Sequence, residues 1–503
     1  MNSLPDYFDP IRLEKRQSLI DRGHDPYPYD YVRTHLINEV QQQTEKLIAS
    51  KEICSLVGRI VAQRLHGKAT FLDLEDETAR IQLYFRQDDL DDVNWFIVSK
   101  MVDLGDLLEV KGFVFKTKMG ELTLHVKALR ILSKSLVPIP IGKTTEDKSY
   151  YQVSDPEIKY RERYIDWLTN PLSRKRITLR SNIIALIRQW MNSEGFLEVQ
   201  TPTIEMIYGG AEARPFETSI WALGGQKAFL RISPELYLKR YIVGGFQKVY
   251  TICQNFRNEG IDKSHNPEFT MMEWYEAGTD YEFQMHRFET LVSFVVQQIY
   301  GSTTVTYQGE AINFSTPWKR ITIEEGIKQA IGLRVSEVSE AVLSQKCLEL
   351  GIEVPEKVSR GLLIMLLFEK YCEPKLVQPT FVLDYPVEVS PLTKAKRGQP
   401  GLVERFEPFV MRMELGNAYS ELTDPLEQYQ RFLQQREFDS TEGYEIHPID
   451  LDFIKAIGCG MPPTGGVGLG VDRLVMLLTD SPSIRDIIPF PMMKPRIQEV
   501  ITK

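Results

Sequence analysis

Cysteine is scarce in this chain of 503 residues, and what there is lies scattered. Cys54, Cys253, Cys347, Cys372 and Cys459 are odd in number, and no two stand in a C-x-x-C spacing. A disulfide framework and a cysteine-bound zinc site are thereby excluded, and five reduced thiols are expected. Long apolar runs are missing too. The longest, Leu362–Phe368 (LLIMLLF), falls far short of the ~20 residues a membrane-spanning helix needs. The opening MNSLPDYFDP has no basic residues leading into an apolar stretch, so no signal peptide is expected. The protein is expected to be cytoplasmic, soluble and without a membrane partner. A basic surplus is also absent. The net charge is -9, and neither the first 140 residues nor the remainder is basic. Charge alone therefore does not point to nucleic acid, although a local basic groove can exist inside an acidic whole.

What is present reads as a multidomain globular α+β protein. Its 43% hydrophobic and 26% charged residues are ordinary values, and the length suits two or three domains, each with its own core. Residues 1–50 read as a helical extension, with a Pro- and Tyr-rich kink (HDPYPYDY) between two polar helices. From 51 to 137 the pattern turns to strands. SLVGRIVAQR, ATFLDLEDET, ARIQLYFR, DLLEVKGFVFKT and ELTLHVKALRILS alternate or run β-branched, with a tight turn at Lys118–Gly120. Five short strands fit an oligonucleotide-binding (OB) barrel, and equally a small structural barrel. Residues 138–155 hold two prolines, a glycine and a polar tail, and read as a linker. Residues 156–503 form the larger domain, with an insertion, mainly helical, expected at about 280–375. Arg176–Ser193 has Ile183, Ile184, Ile187 and Trp190 at helical spacing, and FLEVQTPTI follows as a strand. This unit is either a core element or one that pairs with itself in a dimer.

Two nucleotide signals fail on inspection. GGVGLGVDRL does not meet G-x-G-x-x-G and leaves no room for a βαβ unit. Gly142-Lys143-Thr144 lacks the earlier glycine of a phosphate loop, since Val137 stands there. The first stretch still offers a side-chain-poor strand, Thr464–Gly470, running into a helix with Asp472 and Arg473 in its first turn. Tight strand–helix packing with a surface arginine would explain it as well.

Three further stretches carry chemistry. In FRNEGIDKSHNPEFTMMEWYEA, strand alternation puts Phe269, Met271, Glu273 and Tyr275 on one face, which cannot be a dry core. A buried Glu273 would cost several kcal/mol unless paired, and a cationic ligand is the simplest partner. In MELGNAYSEL, alternation puts Asn417, Tyr419 and Glu421 together, and Glu414 faces away unless Gly416 allows a bulge. If Glu414 and Glu421 converge, they make a hard-oxygen site suited to Mg²⁺ with phosphates. In ISPELYLKR, Glu235 sits in the first turn of a helix, where an acid often serves only as a cap.

Taken with GGAEARPF (Gly209–Phe216) and GVGLGVDRL, these stretches resemble, in content and order, the class II (subclass IIb) aminoacyl-tRNA synthetases of the lysine-specific, bacterial type. GKATFLDLED and TARIQLYF resemble that family's anticodon-binding barrel. The resemblance covers nearly the whole chain and is least clear in the N-terminal helices and at 280–375. It implies an OB-type barrel followed by a class II domain built on an antiparallel sheet flanked by helices. It implies lysine activation by ATP, transfer to the 3′-terminal adenosine of tRNA(Lys), Mg²⁺ as cofactor, and a homodimer formed through Arg176–Ile204. Arg257 and Arg473 would be catalytic. ATP would be held by Arg257, Glu259, His265, Asn266, Phe269, Glu414 and Arg473. Lysine would be held by Gly210, Glu235, Arg257, Glu273, Tyr275, Asn417, Tyr419 and Glu421. Mg²⁺ would sit on Glu414 and Glu421. Phe71, Gln82 and Glu121 would read the anticodon. Tyr419 departs from relatives that carry Phe there. An aspartate- or asparagine-specific relative would need a basic or amide-rich pocket instead, which Glu235 and Glu421 oppose. A non-catalytic RNA-binding protein could dispense with Arg257, Arg473 and Glu414. Neither HIGH-like nor KMSKS-like segments occur, which excludes the class I enzymes.

Overall fold

The computed structural model describes residues 5–141, 144–145, 148–149, 155–355, 358–442 and 448–495. Most of the linker expected at 138–155, Gly142 and Lys143 included, lies outside them. Contacts divide the chain into two compact units, Met1–Pro171 and Leu172–Lys503.

The first unit is a closed barrel. Its strands are β1 (Cys54–His66), β2 (Ala69–Glu75), β3 (Arg80–Arg86), β4 (Leu107–Lys116) and β5 (Leu122–Ser133). They run in the order β1-β2-β3-β5-β4, and β4 closes back onto β1. The β3–β5 pair is parallel and the other pairs are antiparallel. Inward residues such as Leu56, Leu72, Leu83, Val110 and Leu124 are fully buried, as the period-2 pattern requires. The N-terminal helices α1 (Pro10–Asp21), α2 (Ile37–Gln42) and α3 (Thr44–Ser50) do not stand apart as an extension. Leu19, Ile37, Val40 and Leu47 are buried in the same core as the barrel strands.

The second unit is built on a sheet of nine strands. They are β6 (Leu197–Glu198), β7 (Lys248–Phe256), β8 (Glu268–Ala277), β9 (Lys319–Thr322), β10 (Thr380–Leu383), β11 (Arg405–Val410), β12 (Met413–Glu414), β13 (Gly416–Ser420) and β14 (Thr464–Leu469). The order across the sheet is β9-β10-β11-β13-β14-β8-β7-β6, with β12 also beside β11. Among the described residues only the edge pairs, β9–β10 and β6–β7, are parallel, so the sheet is largely antiparallel as expected. Helix α4 (Pro171–Ser193) buries Ile183, Ile187, Trp190 and Met191 in the core of this sheet.

The stretch 280–375 differs from the expected insertion. Its first helix, α5 (Tyr281–Tyr300), begins where Asp280 accepts the N–H of Phe283 and ends at Gly301 in the left-handed region. It buries Met285, Phe288, Leu291, Val292, Val295 and Val296 in the main core, and β9 is a strand of the main sheet. The helices after β9 pack in a second cluster, around Ile327, Leu343, Leu367 and Phe368, which also takes in Ile321, Val382 and Phe409 of the sheet. The stretch carries no obvious chemistry of its own, and helical periodicity marks a buried face without saying which core receives it.

Candidate active site and barrel face

The glycine-rich strand β14 is the floor of the site. It pairs on one side with β8, where Glu273 lies opposite Gly468 and Tyr275 opposite Gly466. On the other side it pairs with β13, where Asn417 lies opposite Gly468 and Tyr419 opposite Gly466. A strand bare of side chains thus runs between two strands that carry functional ones, and this opens a groove. A Cβ at Gly466 would collide with the carboxylate of Glu421 and lie 2.5 Å from Cε1 of Tyr275. Gly210 is needed too. It has φ +85°, and a Cβ there would be 3.1 Å from Ser233 Oγ.

A cavity of about 370 Å³ lies over this floor. Most residues expected to bind small molecules line it: Gly210, Glu235, Arg257, Glu259, His265, Asn266, Phe269, Glu273, Glu414, Asn417, Tyr419 and Arg473. Tyr275 and Glu421 stand behind its wall at Gly466. The question of the bulge is settled by register. Phe409 pairs with Glu414, whereas Arg405 pairs with Tyr419, so one extra residue enters the chain between β12 and β13. That extra residue turns Glu414 toward the cavity along with Asn417 and Tyr419.

One end of the cavity is acidic and buried. Ser233 Oγ donates to Glu273 Oε1 at 2.9 Å, and the Tyr275 hydroxyl donates to Oε2 at 3.1 Å. Burial, with Glu235 nearby, raises the Glu273 carboxyl to about 8. Burial also pushes Glu421 well above the usual carboxylate range. The hydroxyl of Tyr419 donates to Glu235 Oε1 at 2.6 Å. Glu235 opens the helix α6 (Glu235–Val243), where its N–H donates to Ser233 Oγ. It therefore faces the cavity and begins a helix at once. Lys239, four residues on, was missed in the sequence. Its Nζ is 2.6 Å from Glu235 Oε1 and 2.5 Å from Glu421 Oε2.

Cations line the same cavity. The Arg257 guanidinium sits 5.2 Å from the Phe269 ring centroid, and its buried Nε has no hydrogen-bond partner. Arg473, in the helix α7 (Val471–Leu478), donates to the Glu414 carbonyl at 2.6 Å and to its carboxylate at 3.2 Å. Asp472 accepts the Thr270 N–H at 2.8 Å and pairs with Arg180, which ties α7 to β8 and α4. His265 is exposed and bound to Asp262 at 2.9 Å. The Asn266 amide donates to the Glu268 carbonyl and accepts from the Met492 N–H, so it braces the loop. Arg405, also unforeseen, holds Asn417 at 2.9 Å and Glu407 at 2.7 Å.

Glu414 and Glu421 do not form one metal site. Six residues of extended chain stand between them, about 20 Å at ~3.3 Å each. Glu421 is fully buried against Lys239 and has Glu235 and Glu273 as its other charged neighbours. The carboxylate beside Glu414 is Glu407, two residues along β11 from its partner Phe409 and on the same face. Burial raises Glu407 to about 7, and Glu414 pushes it the same way. No cluster of three or more metal-binding side chains occurs among the described residues. A pair of carboxylates suits Mg²⁺, which takes one or two of them and fills its shell with phosphates and water.

On the barrel, Phe71, Gln82 and Glu121 do come together. Phe71 pairs with Tyr84 across β2 and β3, and their ring centroids are 5.1 Å apart. Gln82 donates to Glu121 at 3.0 Å and accepts from Thr123 at 3.0 Å. The half-buried rings of Phe71, Tyr84, Phe115 and His125 form a strip on the outer face.

The family model for class II tRNA synthetases (D, K and N) matches residues 155–494, and that for OB-fold nucleic acid binding domains matches 54–132. The chain is a class II aminoacyl-tRNA synthetase. It is 46% identical to the lysine--tRNA ligase of Carboxydothermus hydrogenoformans, over 97% of this chain and 98% of the relative. It is 45% identical to that of Syntrophomonas wolfei subsp. wolfei, over 97% of each chain. It is 44% identical to that of Methanoculleus marisnigri, over 97% of this chain and 95% of the relative. No helix among the described residues of this synthetase is long and apolar enough to cross a membrane.

Proposed function

We propose that this synthetase is a lysine--tRNA ligase that activates L-lysine with ATP and passes it to the 3′-terminal adenosine of tRNA(Lys). One observation carries the choice of amino acid: three acids are buried together, Glu235 and Glu273 in the lining of the cavity and Glu421 behind its wall, while Arg257 and Arg473 line the same cavity. A substrate with two ammonium groups and one carboxylate matches that distribution, and an aspartate or asparagine side chain does not. In this reading Glu235 and the backbone of Gly210 take the α-ammonium, and Glu421 with Tyr275 takes the ε-ammonium. Glu273 and Tyr419 brace those acids, and Asn417 assists Arg257 at the carboxylate. Phe269 stacks on adenine with Arg473 on its other face, Glu259 meets the adenine amino group, and His265 and Asn266 shape the loop around the triphosphate.

The chemistry rests on placement. The lysine carboxylate attacks the α-phosphorus in line and pyrophosphate leaves. Arg257 and Arg473 offset charge on the phosphoryl oxygens, and no side-chain nucleophile is needed. Glu407 and Glu414 would hold Mg²⁺, which when bound neutralises phosphate charge. We assign anticodon reading to Phe71, Gln82 and Glu121. We also expect cytoplasmic location and pairing of two copies through Arg176–Ile204, where Leu197 and Ile204 are exposed. The test is ATP–pyrophosphate exchange without tRNA, offering lysine, aspartate and asparagine separately. Exchange with lysine alone is expected. Exchange with aspartate or asparagine would overturn the specificity, and none at all would leave a non-catalytic RNA-binding protein.

One expectation concerns the barrel and another the pocket. Phe71→Ala should lower tRNA charging about ten- to a hundred-fold, as for the loss of one stacked base, and leave adenylate formation intact. An equal loss in both reactions would show that the barrel is no separate reader. In the pocket, Glu273 holds its proton to about 8, whereas an unfolded glutamate loses its proton near 4.5. The folded state thus binds more protons across that window, and ligand-free stability falls as pH rises through it. Lysine favours the ionised acid and should offset the loss. The lysine-induced rise in Tm should grow from acid toward about pH 8; a rise constant with pH would remove Glu273 from the pocket.

A further inference from the structure

We infer that Lys239 is a positioning residue of the amino-acid pocket, a cation built into the wall that ties Glu235 to Glu421 and balances the third acid. This rests on the lysine reading above. The Lys239 side chain is fully buried, a rare state for lysine unless paired. Its partners are not acids of its own neighbourhood alone. Glu235 is one turn back on α6, but Glu421 follows β13, 182 residues farther along the chain than Lys239. The two are the carboxylates assigned to the two ammonium groups of the substrate.

Among the described residues no other acid pairs with Lys239. From β8 come Glu273 and the Tyr275 hydroxyl, which bind each other. From β13 comes Tyr419, whose ring centroid is 5.5 Å from Nζ and whose hydroxyl is given to Glu235. The Phe453 ring lies at 5.9 Å. Arg240, the next residue on α6, turns away to Asp450 at 2.8 Å. The charges then close. Once lysine has drawn the proton from Glu273, three ionised acids, Glu235, Glu273 and Glu421, meet two substrate ammonium groups and Lys239, while Arg257 meets the substrate carboxylate. Without Lys239 one acid is left over in a buried site, where an unpaired charge is expensive and takes up a proton instead. Lys239 also holds the two carboxylates at a set separation before the substrate arrives, so that less ordering is left for binding.

The experiment is pyrophosphate exchange by the full chain, wild type against Lys239→Met and Lys239→Arg, with KM for lysine, KM for ATP and the pH profile of kcat/KM. In Lys239→Met the KM for lysine should rise about ten-fold or more, as for the loss of a charge-assisted hydrogen bond. The KM for ATP should stay within about two-fold, since the residues assigned to ATP are untouched. The acid limb of the profile should move up by about one pH unit or more, because Glu421 ionises less readily without its cation. Lys239→Arg should bring that limb back toward wild type. An unmoved limb, or parallel rises in both KM values, overturns the inference. If Lys239→Met does not fold, Lys239→Arg decides. A raised KM for lysine alone with a wild-type limb supports the inference, and parallel rises overturn it. A wild-type protein that fails to exchange with lysine overturns the lysine reading instead, and is seen first.

Discussion

Glu421→Gln should abolish measurable lysine activation while the protein stays folded. The substitution keeps the volume and removes one charge from a fully buried carboxylate. If the ε-ammonium of lysine meets Glu421, that ammonium would be desolvated against a neutral amide. Truncating one partner of a buried charge pair costs roughly 2–5 kcal/mol, or about thirty- to several thousand-fold in kcat/KM. The fold should survive because Lys239 keeps Glu235 at 2.6 Å and because Glu421 oxygens make no hydrogen bond that a backbone strand needs. The measurement is pyrophosphate exchange with a parallel thermal melt. Exchange at the wild-type rate would show that Glu421 does not touch the amino acid. A collapsed melt would show that the carboxylate holds the fold rather than the substrate.

Much of this site was legible in the sequence, and the reasons differ from residue to residue. Strand alternation in EFTMMEWYEA put Glu273 and Tyr275 on one face, and they are there. Alternation did the same for Asn417 and Tyr419. The barrel strands were legible because each is short, alternating and bounded by turn residues. Glu414 was ambiguous for a physical reason. A single inserted residue reverses every side chain beyond it, and only pairing reveals the insertion. The same limit produced the mistaken metal pair. Glu414 and Glu421 look close on a line of text, but a strand spends the intervening residues on distance. Their real neighbours, Glu407 and Lys239, lie on other elements, and nothing in local spacing points from one to the other. Lys239 carried one faint sign, a Glu–Lys spacing of four on the helix, which is usually a surface pair. Its burial follows from packing under Tyr419 and Phe453, which sequence reading does not supply.

Arg257→Lys should cost about 10²–10³-fold in kcat, the scale set by removal of one preorganised donor to a developing anion. The argument begins from what Arg257 lacks. Among the described residues no carboxylate pairs with its guanidinium, and its buried Nε is without a partner. Burial even weakens its hold on the proton, although nearby Glu259, Glu414 and Glu273 work the other way. A fold does not retain a half-buried, unpartnered arginine for its own stability, since desolvating the cation is a cost. An arriving anion removes that cost, and the rigid fork can meet a carboxylate and a phosphate oxygen together. Lysine keeps the charge but neither the fork nor the planar guanidinium that now sits 5.2 Å from the Phe269 ring centroid. The ligand-free Tm should therefore stay the same or rise while exchange falls. A rate within a few-fold of wild type would mean that charge alone suffices at this position. A large fall in Tm would mean that Arg257 serves the fold first.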